Sequence, residues 1–234
     1  VLGALVMTHA DDLGLKLPPK VAPVQVIVVP VAAKKAEDVA LVSAKIAEVV
    51  AALGALGVRV KVDDRDYVRP GAKFFEWERK GVPLRLEIGP RDAKNDQCVL
   101  VPRWKESSDG EKVSVALPDV AAEVVRRLDA LQAAFFDLAK DRLLRNSFLV
   151  TDYHDMKKRI VEEEKNIPGF FLAPWCDDAE NEAAIKADCK ATIRCFPFAP
   201  EDLLADDVVD VASHPTCFYS GRPATHVALF ARAF

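Results

Sequence analysis

The sequence predicts an α/β domain with a mixed five-stranded sheet flanked by helices, followed by a small α+β domain. The run VQVIVVPV at residues 24–31 is continuously apolar and rich in β-branched residues, which is typical of a strand covered on both faces. Strand and helix patterns then alternate in the order βαβαβββ, which favours a mixed sheet. After residue 169 the composition changes to aromatic residues, prolines and cysteines, which indicates a second domain.

The first helices and strands follow from apolar spacing and from glycine positions. Residues 36–57 carry apolar side chains three and four positions apart, and Gly57 suits a left-handed helix end. VRVKVDD at 58–64 predicts the second strand. Arg-Pro-Gly at 69–71 predicts the start of a short helix that Gly81 ends.

Three further strands complete the predicted sheet. In VPLRLEIG at 82–89, period-two alternation places three aliphatic residues on one face and Arg85 and Glu87 on the other, so we expect this strand to bury one side only. QCVLVPR at 97–103 and KVSVALP at 112–118 predict two more strands, joined by the turn SSDG.

A long helix from Pro118 towards Asn146 then leads to the second domain. VLGALVM at the N-terminus predicts a strand, and because the chain begins inside it, we expect a part of a longer protein. The predicted division is an N-terminal segment at 1–19, a first domain at 20–150 and a second domain at 151–234.

Composition narrows the functional classes. No apolar run reaches the roughly 20 residues that span a bilayer, so we expect no membrane partner. The five cysteines are an odd number scattered along the chain, which favours free thiols and a cytoplasmic location. The net charge is −4, yet residues 59–105 hold twelve Lys or Arg against eight Asp or Glu. A locally basic surface on an acidic chain is what a selective polyanion-binding protein needs.

Four segments resemble, in order, prolyl-tRNA synthetases of the archaeal and eukaryotic type. They are LGALVMTHADDLGLKLPPKVAPVQVIVVPV, PGAKFFEWERKGVPLRLEIGPRD, WC…EAAIKADCKATIRCFPF and SGRPATHVALFARAF. The resemblance implies a class II synthetase anticodon-binding domain at 20–150 and a C-terminal, zinc-binding-like domain at 151–234. Residues 1–19 would be the last edge of the catalytic domain, so we expect no catalytic residue in this chain.

The resemblance also implies the chemistry of the full-length enzyme. That enzyme would form prolyl-adenylate from proline and ATP with Mg²⁺, transfer the prolyl group to tRNA(Pro), and act as a homodimer. We expect this chain alone to be inactive in that reaction. His9 and Asp11 resemble a family loop, and a polar turn is the alternative interpretation.

The charged residues around the 82–89 strand gain a role from the resemblance. The family places an anticodon-reading set at the positions of Glu78, Arg85, Arg91 and Asp92, and basic residues that contact the RNA backbone at Arg103 and Lys105. Guanine presents acceptors on one edge and donors on the other, so reading it requires both carboxylate and guanidinium groups. The competing interpretation is a solvated face with alternating charges.

The C-terminal domain departs from the family at its zinc ligands. The four positions that would carry cysteines are occupied by Cys176, Asn181, Cys217 and Ser220. Two thiolates do not make the closed tetrahedral site that structural zinc prefers, so we expect zinc to be lost. Recruited ligands, namely Cys189, Cys195 or His214, are the alternative.

Two rival functions remain at this point. A free-standing, non-catalytic RNA-binding module could reuse these domains. A small-molecule enzyme on a Rossmann-like sheet is disfavoured, because no glycine-rich phosphate loop follows VQVIVVPV.

Overall fold

The computed structural model describes residues 2–31, 35–104, 111–162, 169–204 and 210–232. The chain divides into two compact units, residues 1–138 and residues 139–234, and the boundary between them in the sequence falls within one long helix. The predicted SSDG turn lies outside the described residues.

The first unit begins with a helix rather than a strand. Helix α1 spans Leu2–Thr8 and is followed by a hairpin of β1 (Ala10–Asp11) and β2 (Gly14–Leu15). The predicted strand at VLGALVM was therefore wrong. None of the α1 residues is buried and no strand pairs with this segment among the described residues, so its backbone groups are satisfied locally, by helical hydrogen bonds.

The main body of the first unit is an α/β layer structure. Its elements are β3 (Val26–Pro30), α2 (Ala36–Ala55), β4 (Val60–Val62), α3 (Pro70–Arg79), β5 (Leu84–Ile88), α4 (Pro90–Lys94), β6 (Gln97–Pro102), β7 (Val113–Ala116) and α5 (Val120–Arg145). The strand order is β4-β3-β5-β6-β7, with β3 parallel to β4 and β5, and with β6 antiparallel to β5 and β7. The predicted mixed five-stranded sheet is confirmed.

Both faces of this sheet are covered. Leu84, Leu86 and Ile88 of β5 join the aliphatic residues of α2 and α5 in the main core. On the opposite face, Ile27 of β3 packs against Trp77 of α3. The prediction that β5 buries one side only was wrong, because the α3 crossover covers the second face and leaves Glu87 only 7% exposed.

The second unit is a small α+β domain. After the end of α5 it contains β8 (Ser147–Leu149), α6 (Tyr153–Glu162), β9 (Phe170–Trp175), α7 (Ala179–Cys189), β10 (Ala191–Cys195) and β11 (His226–Arg232). The strand order is β10-β11-β9-β8, and only β8 and β9 are parallel. Its aromatic core includes Trp175, Phe218 and Phe230. Among the described residues, no helix of either unit has the length and apolarity that crossing a membrane requires.

Candidate nucleic-acid interface

Three of the predicted site residues line one shallow pocket on the α3 face of the sheet. We call it the α3 pocket, and its lining consists of Ile27, Trp77, Glu78, Val82, Arg85, Val101, Pro102 and Arg103. Glu78 lies in the last turn of α3, Arg85 is the second residue of β5, and Arg103 follows β6. The sheet therefore brings a carboxylate and two guanidinium groups together on an apolar floor.

The local geometry at the end of α3 fixes the position of Glu78. Gly81 has a φ of +76°, and a Cβ at this residue would lie 2.6 Å from the Leu15 carbonyl oxygen. Only glycine allows the chain to turn this tightly from α3 into β5 against the N-terminal hairpin. Within the described residues, the Glu78 carboxylate makes no hydrogen bond or ion pair, which leaves it available to a ligand.

Arg85 is held in place from two sides. Its Nε donates a hydrogen bond to Glu87 Oε1 at 2.9 Å, and its guanidinium carbon lies 4.2 Å from the centre of the Phe74 ring. Glu87 also faces Lys112, whose Nζ is 3.5 Å from Oε2. Neither Nη group of Arg85 has a hydrogen-bond acceptor among the described residues, so both can be offered to a planar acceptor edge.

Arg103 has a different environment from Arg85. Its side chain is only 3% exposed, and it forms a two-bond pair with Asp11, with distances of 3.1 and 2.5 Å. Its Nε donates to the Glu78 carbonyl oxygen at 2.9 Å, and Nη2 lies 3.3 Å from the Gly14 carbonyl oxygen. Arg103 thus joins the N-terminal hairpin to α3, and its predicted contact with an RNA backbone stays a prediction. Lys105 lies outside the described residues.

Asp11 and His9 behave as structural groups of the hairpin. The hydrogen bonds from Arg103 hold the pKa of Asp11 below its usual range, and Asp11 Oδ1 accepts the Leu13 amide at 3.0 Å within the turn. Burial, followed by the charge of Lys16, lowers the pKa of His9. These contacts favour the polar-turn interpretation of this segment.

Arg91 and Asp92 lie on α4, at the carboxyl end of β5. Asp92 Oδ2 accepts the Gly89 amide at 2.9 Å, which caps the first turn of α4. Arg91 is exposed, and α4 contributes no residue to the α3 pocket. The structure therefore collects Glu78 and Arg85 in one pocket and places Arg91 and Asp92 beyond the strand that carries Arg85.

Two groups beside Arg85 were not among the predicted site residues: Glu87, which accepts its hydrogen bond, and Lys112, which pairs with Glu87. Glu87 follows Arg85 by two positions in a strand, and this spacing puts both side chains on one face, so the pair was within reach of the sequence. Lys112 lies 25 positions from Glu87, and no periodic pattern links them.

The four predicted zinc positions also come together, in the second unit. Cys176 Sγ lies 3.4 Å from Ser220 Oγ, and Asn181 Nδ2 lies 3.6 Å from the same sulfur. Burial tends to raise the pKa of Cys217, and hydrogen bonds with Ser220 and Cys176 lower it, with a net shift downward.

The residues at these positions do not fit a structural zinc ion. Within the described part of the chain, no three His, Cys, Asp or Glu side chains are grouped so that they could hold a metal. Of the alternative ligands, Cys189 is buried and its thiol donates to the Ile185 carbonyl oxygen at 3.4 Å, while Cys195 is exposed. Two thiols without further ligands leave a tetrahedral site incomplete.

Comparisons with known proteins agree with this architecture. The family model described as "Anticodon binding domain" matches residues 25–127, and the one described as "Prolyl-tRNA synthetase, C-terminal" matches residues 156–234. Glu78, Arg85, Arg91, Asp92 and Arg103 fall within the first match.

Curated relatives cover the whole of this chain. "Proline--tRNA ligase 2" of Clostridioides difficile (strain 630) is 41% identical over 234 residues, which are 100% of this chain and 44% of that protein. "Proline--tRNA ligase" of Symbiobacterium thermophilum is 42% identical over 237 residues, 100% of this chain and 45% of that protein. "Proline--tRNA ligase, chloroplastic/mitochondrial" of Arabidopsis thaliana is 36% identical over 235 residues, 100% of this chain and 40% of that protein.

The chain thus spans less than half the length of these relatives. Residues 25–127 belong to the anticodon-binding domain family, and residues 156–234 belong to the family of prolyl-tRNA synthetase C-terminal domains.

Proposed function

We propose that this chain is the tRNA-reading and C-terminal portion of a cytoplasmic proline–tRNA ligase. The whole protein would form prolyl-adenylate from proline and ATP with Mg²⁺ and transfer the prolyl group to tRNA(Pro), as a homodimer. The names of the relatives and the two domain matches support this proposal. The finer assignment, to the archaeal and eukaryotic type, is supported by the motif resemblance and by the C-terminal domain that follows the anticodon-binding domain.

The division into 1–19, 20–150 and 151–234 is part of the same proposal. The first segment would belong to the catalytic domain, and it supplies no catalytic residue. Its hairpin contributes Asp11, which pairs with Arg103.

One observation carries the assignment of tRNA reading. The Glu78 carboxylate and the Arg85 guanidinium line the same pocket, and neither the carboxylate nor the Nη groups have a protein partner among the described residues. A carboxylate accepts from the N1–H and N2–H₂ groups of guanine, and a guanidinium donates to O6 and N7. A pocket that offers both groups on an apolar floor is suited to an unstacked guanine base.

Arg91 and Asp92 would serve the neighbouring nucleotide. Asp92 uses Oδ2 to cap α4, which holds its carboxylate in one orientation, and the adjacent Arg91 side chain is exposed. In this proposal the α3 pocket reads one guanine of the anticodon, and the first turn of α4 contacts the second guanine or its phosphate.

A binding experiment with two RNAs tests the proposal. Anticodon stem-loops that carry either GG or AA at the last two anticodon positions are titrated with the native chain, and binding is followed by fluorescence anisotropy at fixed salt. The native chain should prefer the GG stem-loop by at least 10-fold, because one good base-edge contact is worth about 1–3 kcal/mol. Arg85→Ala and Glu78→Ala should each lower affinity for the GG stem-loop and leave the AA stem-loop nearly unchanged.

Arg145→Ala provides the matched control. This arginine is 80% exposed, lies at the end of α5 and has no place in the proposed site, so it should bind both RNAs like the native chain. Equal affinity of the native chain for the GG and AA stem-loops would refute guanine reading. If Arg85→Ala lowers the affinity for both RNAs equally, Arg85 contacts the phosphate backbone and does not read the base.

A further inference from the structure

The second unit contains a charged cluster that the tRNA-reading proposal does not use. We call it the Arg222 cluster, and it consists of Cys176, Asp178, Asn181, Ser220 and Arg222. It joins two segments that are far apart in sequence. Residues 175–181 lead from β9 into α7, and residues 215–225 form a turn that precedes β11.

The turn at 215–225 directs Arg222 towards the other segment. The Cys217 amide donates to the Arg222 carbonyl oxygen at 2.7 Å, and Thr216 pairs with Pro223, so the turn closes on itself. Gly221 has a φ of +71°, which permits the reversal just before the arginine. The Arg222 side chain therefore extends from a closed turn towards the residues that follow β9.

The Arg222 guanidinium contacts two groups on the first segment. Its Nη2 lies 3.4 Å from Cys176 Sγ and donates a hydrogen bond to Asp178 Oδ2. Asp178 is itself the N-cap of α7, where Oδ1 accepts the Asn181 amide at 2.9 Å. Arg222 therefore connects the turn, the end of β9 and the first turn of α7.

These contacts coincide with the positions where the resemblance places zinc ligands. A zinc ion bound to Cys176 would lie about 2.3 Å from the sulfur, next to a guanidinium that stays charged at all ordinary pH values and cannot act as a ligand. An arginine therefore contacts the sulfur at which the resemblance would place a zinc ion.

We propose that Arg222 replaces the structural metal in this chain, as an internal cation that holds the 215–225 turn against the β9–α7 junction. A metal would do this by binding ligands from both segments. The guanidinium does it with a hydrogen bond to Asp178 and a contact to Cys176, while Asn181 and Ser220 satisfy the same sulfur as neutral groups. The inference concerns the second unit and does not depend on tRNA reading.

The first test measures zinc content and thermal stability of the whole chain. The native protein should contain well under one zinc per chain, and EDTA should leave its melting temperature unchanged. Arg222→Met should lower the melting temperature of the second unit by on the order of 5 °C, whereas Arg145→Met, at an exposed arginine outside the cluster, should lower it much less. Arg222→Lys, which retains the charge but loses the planar fork, should fall between the native protein and Arg222→Met.

The second test asks whether the arginine and a metal are interchangeable. The double variant Asn181→Cys with Ser220→Cys restores four thiols, and it should bind one zinc per chain. In the zinc-loaded double variant, Arg222→Met should no longer lower the melting temperature, because the metal then joins the two segments.

Three results would overturn the proposal. One is stoichiometric zinc in the native protein whose removal by EDTA unfolds the second unit. Another is a melting temperature for Arg222→Met equal to that of Arg145→Met. The third is a stability loss from Arg222→Met that is the same with and without zinc in the double cysteine variant.

Discussion

Replacing Asp63 with asparagine should loosen α3, the helix that carries Glu78. Asp63 is 3% exposed and follows β4. Its carboxylate accepts a hydrogen bond from Trp77 Nε1 at 2.7 Å. It also accepts two hydrogen bonds from the Arg65 guanidinium, at 2.8 and 2.6 Å. Lys73 Nζ lies 3.7 Å from its Oδ1 and bonds its carbonyl oxygen at 2.9 Å. One buried carboxylate therefore anchors two residues of α3.

The expected loss of stability in Asp63→Asn follows from the positive charges that no longer face a carboxylate. An asparagine keeps the shape and one acceptor oxygen, but it leaves Lys73, whose side chain is 5% exposed, without a buried counter-charge. Removing one partner of a buried pair costs about 3–5 kcal/mol. Arg65 is 31% exposed and retains Glu76, so we expect the lower end, about 3 kcal/mol. For a domain of this size, that loss lowers the melting temperature by roughly 6–12 °C.

The assay is urea unfolding followed by tryptophan fluorescence at several pH values. The bonds from Arg65 hold the pKa of Asp63 far below its usual range, against the opposing effect of burial. Because the folded pKa is depressed, Asp63 contributes stability above the unfolded pKa of about 3.9, and this is lost as the pH falls towards the folded pKa. Asp63→Asn should therefore be less stable than the native chain at pH 7. It should also lose less stability than the native chain as the pH is lowered.

The exposed neighbour Asp64 is the matched control, and Asp64→Asn should change stability by less than about 0.5 kcal/mol. A loss below about 1 kcal/mol for Asp63→Asn at pH 7 would refute the reasoning, as would an unchanged acid dependence.

Three further predictions concern function, conformation and thiol chemistry. The chain alone should show only background proline-dependent exchange of pyrophosphate into ATP, and titratable exchange would contradict the proposed division at residue 19. Glu87→Leu should reduce the preference for the GG over the AA stem-loop severalfold, because Arg85 loses the group that orients its guanidinium; an unchanged preference would show that Phe74 alone suffices. Burial raises the pKa of the Cys98 thiol to about 12, so iodoacetamide at pH 8 should label Cys98 only on unfolding, whereas the exposed Cys195 should react in the native protein. Mass spectrometry of the labelled peptides decides this last point.

The sequence alone determined the main sheet, because each of its elements leaves a local signature. VQVIVVPV is a strand covered on both faces, the apolar stripe of 36–57 is a helix, and Gly57 and Gly81 end their helices with positive φ. Such patterns depend on neighbours within a few residues, so one chain suffices to recognise them.

The N-terminal segment is a case in which the local sequence pattern did not predict the secondary structure. VLGALVM is apolar enough for a strand, yet a strand requires a partner, and without one among the described residues it forms α1. Apolar runs of this length do not distinguish the two states, because the choice depends on what lies beside them.

The roles of the charged residues were decided by the tertiary structure. Arg85 and Arg103 are equivalent in sequence terms, as basic residues beside apolar strands. In the fold, Arg103 is buried in a pair with Asp11, 92 positions away, whereas Arg85 keeps both Nη groups open to the α3 pocket. Likewise, the family resemblance predicts cysteines at the positions of Asn181 and Ser220, but only the folded chain brings Arg222 to the sulfur of Cys176. Composition determines which charges are present, and long-range packing determines which of them are already paired.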